Sequence, residues 1–67
     1  METTNILKLI QLGKELGYKT KINISNILGK SKYTIDYNNY KINNDKLFYN
    51  SRYSIYLKDI VSIEFSV

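Results

Sequence analysis

A chain of 67 residues has room for one domain and one small core, and a core of this size supplies only about 3–5 kcal/mol of net stability. The net charge is +4, which favours negatively charged partners over positively charged ones. The sequence has no Cys and no His, which excludes disulfides, Cys/His zinc sites and the usual nucleophile–base pairs, so we expect neither an enzyme nor a cofactor.

Residues 4–16 carry the clearest helical pattern. Their apolar side chains fall on one broad arc at the helical period: Ile6, Leu7, Leu9, Ile10, Leu12 and Leu16. Thr3 or Thr4 is expected to cap the start of the helix, and Gly17 to end it. Gly13 lies inside the arc, where it would let a backbone or a large ring approach closely. Because the arc is wider than one sheet face covers, we expect the helix to contact a second copy of the chain or a partner.

From Tyr18 onward the apolar period changes to two, which is typical of half-buried strands. The alternating runs are rich in Ile, Tyr, Val and Phe, and turns rich in Asn and Ser separate them. We predict five strands in a single domain spanning residues 1–67. Their expected positions are residues 19–25, 31–37, 40–49 (with a break left open at the Asn43-Asn44-Asp45 turn), 53–58 and 61–66.

The closing segment, "YSIYLKDIVSIEF", resembles the end of the Sm-like and SH3-like small barrels, including the Hfq class. In those folds a strand runs into a single 3₁₀ turn, here "LKDI", and the last strand pairs back at once. Leu57, Ile60 and Ile63 occupy the apolar positions of that closure. The expected fold is therefore α+β, with the N-terminal helix packed on a bent five-stranded antiparallel sheet or on a small Sm/SH3-like barrel. The "YKH" motif of Hfq-type RNA binding is not in the sequence.

Residues 21–40 also resemble a helix-turn-helix unit, which would imply a DNA-binding regulator. In that interpretation Leu28 is buried, Gly29 forms the turn and Lys32 begins the recognition helix. An apolar residue is usual at the position of Lys30, and the second helix would be rich in Thr, Asp, Tyr and Asn, which form helices poorly. The sequence leaves both interpretations open, and its alternation favours strands.

The basic charge is concentrated in residues 19–32, which contain four lysines and no acidic residue. A hairpin through this segment would bring the four side chains onto one surface, which would attract a polyanion or an acidic protein face. Tyrosine beside lysine adds stacking on bases or area at a protein interface. The candidate binding residues are Lys19, Lys21, Lys30, Lys32, Tyr33, Tyr40 and Tyr56.

Two functions follow from this pattern. The first is a non-catalytic nucleic-acid-binding accessory or regulatory protein that acts through a Lys/Tyr surface. The second is a phage- or plasmid-encoded inhibitor that binds a host protein or nucleoprotein complex, for example an anti-CRISPR-like protein. The second is favoured by the small size and by the abundance of Ile, Lys, Asn and Tyr with no Ala or Pro, which indicates an AT-rich gene.

The sequence gives no sign of a membrane partner. The apolar run near the N-terminus is interrupted by Lys8 and Gln11 and is not followed by a small-residue cleavage site. No segment approaches the roughly 18 apolar residues of a membrane span. We therefore expect a cytoplasmic protein.

Overall fold

The computed structural model describes residues 2–67 as one α-helix followed by six β-strands in two three-stranded sheets. The first sheet has the order β2-β1-β6 and the second has the order β3-β4-β5, and all pairs are antiparallel. No helix in this described part of the chain is long and apolar enough to cross a membrane. The elements are α1 Thr3–Leu16, β1 Lys19–Asn26, β2 Gly29–Thr34, β3 Lys41–Asn43, β4 Lys46–Phe48, β5 Ser54–Tyr56, a 3₁₀ turn Leu57–Asp59, and β6 Ile60–Ser66.

The expected α+β class with an N-terminal helix is confirmed, but the five-stranded sheet and the closed barrel are wrong. The predicted strand 40–49 divides because Asn44 adopts a left-handed backbone with φ 57°, a conformation that Asn tolerates well. β3 and β4 become a hairpin in which Asn43 lies opposite Lys46. The two sheets remain separate. Just after β2, the backbone N–H of Asp36 donates to the carbonyl of Tyr49, which lies just after β4, at 3.3 Å.

The segment with two interpretations forms a hairpin of strands. β1 pairs with β2 from Lys21 opposite Thr34 to Asn26 opposite Gly29. Between α1 and the 3₁₀ turn the described chain has no helix, so the helix-turn-helix interpretation has no counterpart in the structure. β2 begins two residues earlier and ends three residues earlier than predicted.

The two ends of α1 differ in how well the sequence predicted them. Gly17 ends the helix as expected, with φ 73°, and the N–H of Tyr18 donates to the carbonyl of Gly13 at 3.0 Å. The expected Thr cap is wrong, because Thr3 and Thr4 already lie in the first turn. Glu2 occupies the cap position and makes no side-chain capping bond.

The core lies between α1, the inward face of the first sheet and the second sheet. Fully buried side chains come from α1, β1, β4, the 3₁₀ turn and the start of β6: Ile6, Ile10, Thr20, Ile22, Leu47, Leu57 and Ile60. The predicted "LKDI" turn is confirmed, since Leu57 and Ile60 bracket it and are both buried. Ile63 is half-buried and packs against this core.

At Gly13 the helix approaches its neighbours closely, as the place of this residue in the apolar arc predicted. A Cβ at Gly13 would lie 2.7 Å from the Phe65 ring and from the Tyr37 hydroxyl, and closer still to the Thr20 hydroxyl. The Tyr37 hydroxyl is hydrogen-bonded to the carbonyl of Ile10 at 2.8 Å and to the Thr20 hydroxyl at 2.6 Å. The missing side chain therefore leaves room for a partly buried polar contact between the helix, β1 and the loop after β2.

Gly13→Ala is expected to destabilise the fold although Ala is the better helix former. The gain in helix propensity is about 1 kcal/mol, whereas overpacking of a tight site typically costs about 1–3 kcal/mol, and here it also displaces the Tyr37 hydroxyl. Urea unfolding followed by circular dichroism measures the difference. Gln11→Ala, on the exposed side of the same helix, is the control, and equal stability of the two variants would contradict the close contact.

Candidate functional site

The register of the first sheet brings the four predicted lysines onto one surface. Residues directly opposite each other in antiparallel strands point to the same side, and side chains alternate along a strand. Because Thr20, Ile22 and Ile24 are buried, the odd-numbered side chains of β1 point outward. The polar surface, called here the lysine face, consists of Lys19, Lys21, Asn23 and Ser25 of β1, Lys30, Lys32 and Thr34 of β2, and Ser62, Glu64 and Ser66 of β6.

Glu64 lies within the lysine face and was not among the predicted site residues. Its carboxylate is 2.8 Å from the Lys32 ammonium in an ion pair whose side chains are both about half exposed, and Lys21 stands directly opposite it. The hydrogen bond and charge of Lys32, with smaller contributions from Asn23 and Lys21, hold the pKa of Glu64 below its ordinary value. Four lysines against one glutamate leave this face with a net charge of +3.

A bulge in β6 places an apolar side chain beside the lysines. Asn23 is opposite Ser62 but Ile24 is opposite Ile60, so Val61 is the extra residue. Val61 is 53% exposed. It lines a shallow groove of about 340 Å³ together with Asn23, Ile24, Ser25, Lys30, Ser31 and Lys32.

Two of the predicted tyrosines do not share the lysine face. Tyr33 lies opposite buried Ile22 on the inward face of the sheet, and its ring stacks on Tyr49 with 4.6 Å between centroids. Burial, with a further contribution from Tyr33, raises the pKa of Tyr49 to about 12. Tyr40 packs edge-on against Tyr37 at 5.2 Å, next to the core. The sequence held a signal for Tyr33, because its odd number puts it out of phase with Lys30 and Lys32.

The third predicted tyrosine belongs to the other sheet. Tyr56 is exposed at the end of β5, and the ammonium groups of Lys46 and Lys58 lie 5.1 and 5.3 Å from its ring centroid. This small aromatic and basic group is separate from the lysine face. The structure thus brings together the four lysines of the prediction and none of its tyrosines.

The turn between β1 and β2, called here the hairpin tip, consists of Ile27 and Leu28. Their exposed fractions are 101% and 91%, as high as in an unfolded chain. Asn26 pairs with Gly29 across the turn, and the N–H of Leu28 donates to the Asn26 side-chain oxygen at 2.9 Å. The exposure of these two side chains was not predicted from the sequence, where Leu28 was considered only as a buried residue of the alternative helix-turn-helix interpretation.

Comparison with known proteins identifies no relative: no protein-family model, curated protein or solved structure matches this chain. The chemistry of the described residues is therefore the guide to function. The lysine face offers ammonium donors, hydroxyls and one amide to a ligand. Within residues 2–67 no group of three or more acidic side chains is placed to hold a metal ion.

A second apolar region lies at the end of α1. Leu7 packs against the core, while Leu12 and Leu16 are exposed, as is Tyr18 just after the helix. One edge of the broad apolar arc is therefore covered within the protein and the other is not. This exposed end is where the expected contact with a second copy or a partner would have to form.

Proposed function

We propose that the protein is a non-catalytic nucleic-acid-binding accessory or regulatory protein that holds the phosphate backbone through its lysine face. The observation that supports this most is the register that gathers Lys19, Lys21, Lys30 and Lys32 on one outward surface. Lysine ammonium groups act as point charges toward phosphate oxygens. Contacts of this kind supply most of the sequence-independent affinity for nucleic acid.

A duplex fits this surface better than a single strand. Sequence-independent binding of single strands relies on exposed aromatic rings on which bases stack. The lysine face carries no aromatic side chain, since Tyr33 points to the other side of its strand. Lys19 and Lys21 are spaced by roughly 6.6 Å along an extended strand, at about 3.3 Å per residue. A fixed row of charges on a sheet suits a regular double-stranded backbone.

The salt dependence of binding tests the proposal. Affinity for a short mixed-sequence duplex is measured by fluorescence anisotropy over a range of salt concentrations. Neutralising about three phosphates predicts a slope of about −3 in a plot of log affinity against log salt. The matched single strand is expected to bind more weakly. Absence of duplex binding at low salt, or affinity that does not depend on salt, would refute a phosphate-binding face.

Glu64→Gln is expected to tighten duplex binding a few-fold at low salt and to steepen the salt slope by about one. The change removes the only acidic side chain of the lysine face and frees Lys32 to meet a phosphate. Stability should change little, because exposed ion pairs contribute about 0–1 kcal/mol. Glu15→Gln, on the exposed surface of α1, makes the same change in net charge elsewhere. Equal effects of the two variants would mean that Lys32 takes no part in binding.

A second candidate is the phage- or plasmid-encoded inhibitor that binds an acidic face of a host protein or nucleoprotein complex. Exposed Val61 favours this function, because a phosphate backbone offers no apolar surface to cover it whereas a protein interface does. Pull-down from nuclease-treated bacterial lysate separates the two functions. A partner held by the parent but lost by Val61→Ser, together with no duplex binding by the purified protein, would favour the inhibitor.

A further inference from the structure

We infer that the hairpin tip, Ile27 and Leu28, is an apolar wedge that inserts between base pairs of duplex DNA and directs the protein to steps that open easily. This inference deepens the proposed function and rests on it, because the lysine face must hold the duplex beside the tip. It adds what the lysines alone cannot supply, a preference among duplexes. Phosphate contacts carry no sequence information, whereas insertion depends on how easily a base step deforms.

The two side chains of the tip have no role in forming the turn. The turn depends on the side-chain oxygen of Asn26, which accepts the Leu28 N–H, and on Gly29, whose φ of 124° suits glycine. Ile27 and Leu28 have no positive φ of their own. Serine at both positions would keep these interactions. Serine would also expose less apolar surface to water, and apolar surface stabilises a protein only when it is buried. A ligand that covers the tip would bury these two apolar side chains, and their burial would contribute to binding.

The positions of the lysines along the hairpin favour a linear polyanion as that ligand. Lys30 is two residues beyond Leu28, Lys32 is two residues further along β2, and Lys19 lies eight residues from Ile27, roughly 26 Å at 3.3 Å per residue. If the tip met an anionic membrane end-on, the membrane would attract only those lysines within about one Debye length, some 8 Å, of its surface. Lys19 lies far outside that distance. A duplex that lies along the hairpin reaches all four lysines and the tip together.

Ile and Leu are among the side chains that enter between base steps from the minor groove. Such insertion partly unstacks the step and bends the duplex toward the major groove. It is easiest at flexible pyrimidine–purine steps and at mismatched pairs, where less stacking is lost. The wedge therefore predicts both a bend and a preference for a weakened step, neither of which follows from a lysine surface alone.

The test compares two variants on two duplexes. One duplex is fully paired, and the other has the same sequence with a single central mismatch. A donor and an acceptor fluorophore at the two ends of each duplex report bending through energy transfer. The parent is expected to bind the mismatched duplex at least about fivefold more tightly and to bring its ends closer. Ile27→Ser/Leu28→Ser should lose the preference and the bend but keep the salt slope. Ile27→Val/Leu28→Val keeps an apolar tip and should retain both.

The possible results separate the wedge from the proposed function. If the parent binds both duplexes equally and bends neither, or if the serine variant keeps the preference, the wedge is refuted while backbone binding stands. If the parent binds no duplex, both fail. Tip-dependent binding to anionic phosphatidylserine vesicles or to a lysate protein, without any preference between the duplexes, also overturns the wedge. Unchanged circular dichroism spectra of the serine variant confirm that its loss is not unfolding.

Discussion

The double variant Lys19→Glu/Lys30→Glu is expected to bind duplex nucleic acid more than about tenfold more weakly than the parent at low salt, with a smaller difference at high salt. It changes the lysine face from a net charge of +3 to −1, because two ammonium groups are replaced by two carboxylates. Both side chains point outward from the first sheet, so the fold should persist. Fluorescence anisotropy with a labelled duplex measures the loss.

The choice of these two lysines follows from their neighbours across the sheet. Lys19 is opposite Ser66 and Lys30 is opposite Ser25, so reversal brings no carboxylates face to face. Reversal of Lys32 would instead break its ion pair with Glu64 and mix an effect on folding with an effect on binding.

A matched control separates the lysine face from overall charge. Lys8→Glu/Lys41→Glu alters the net charge by the same amount on the helix and on the second sheet, where both lysines are exposed. Equal losses in the two double variants would show that only total charge matters. Parental binding by Lys19→Glu/Lys30→Glu would mean that the lysine face is an ordinary solvated surface and that the interface lies elsewhere.

Most molecules of the Ile22→Ala variant are expected to be unfolded at temperatures at which the parent protein is folded. Ile22 is fully buried at the centre of the first sheet, opposite Tyr33 on one side and Ile63 on the other. Truncating a buried Ile costs about 2–5 kcal/mol, and the whole domain is held by about 3–5 kcal/mol. Thermal melting followed by circular dichroism gives the measurement.

Ile27→Ala is the matched control for this variant, because it removes the same atoms from a fully exposed position. It should melt within about a degree or two of the parent, since surface substitutions usually change stability by less than about 0.5 kcal/mol. Similar melting of the Ile22 and Ile27 variants would show that the first sheet does not form the centre of the core.

Local patterns in the sequence were enough to predict α1, β1 and the 3₁₀ turn. The helical period and Gly17 located α1, and the alternation of Ile with polar residues located β1 and its buried side. The turn at Leu57–Asp59 was also evident, with a buried apolar residue at its start and another directly after it. These features were predictable because periodicity, capping and turn chemistry act between residues only a few positions apart.

The pairing of the strands and the contacts between distant side chains depend on packing that local patterns do not show. Two separate sheets, the bulge at Val61 and the Lys32–Glu64 ion pair depend on register between segments distant in sequence, and packing of the shared core sets that register. The same packing turned Tyr40 toward the core. Burial favours an aromatic ring wherever the fold offers space, and no local pattern says where that space will be.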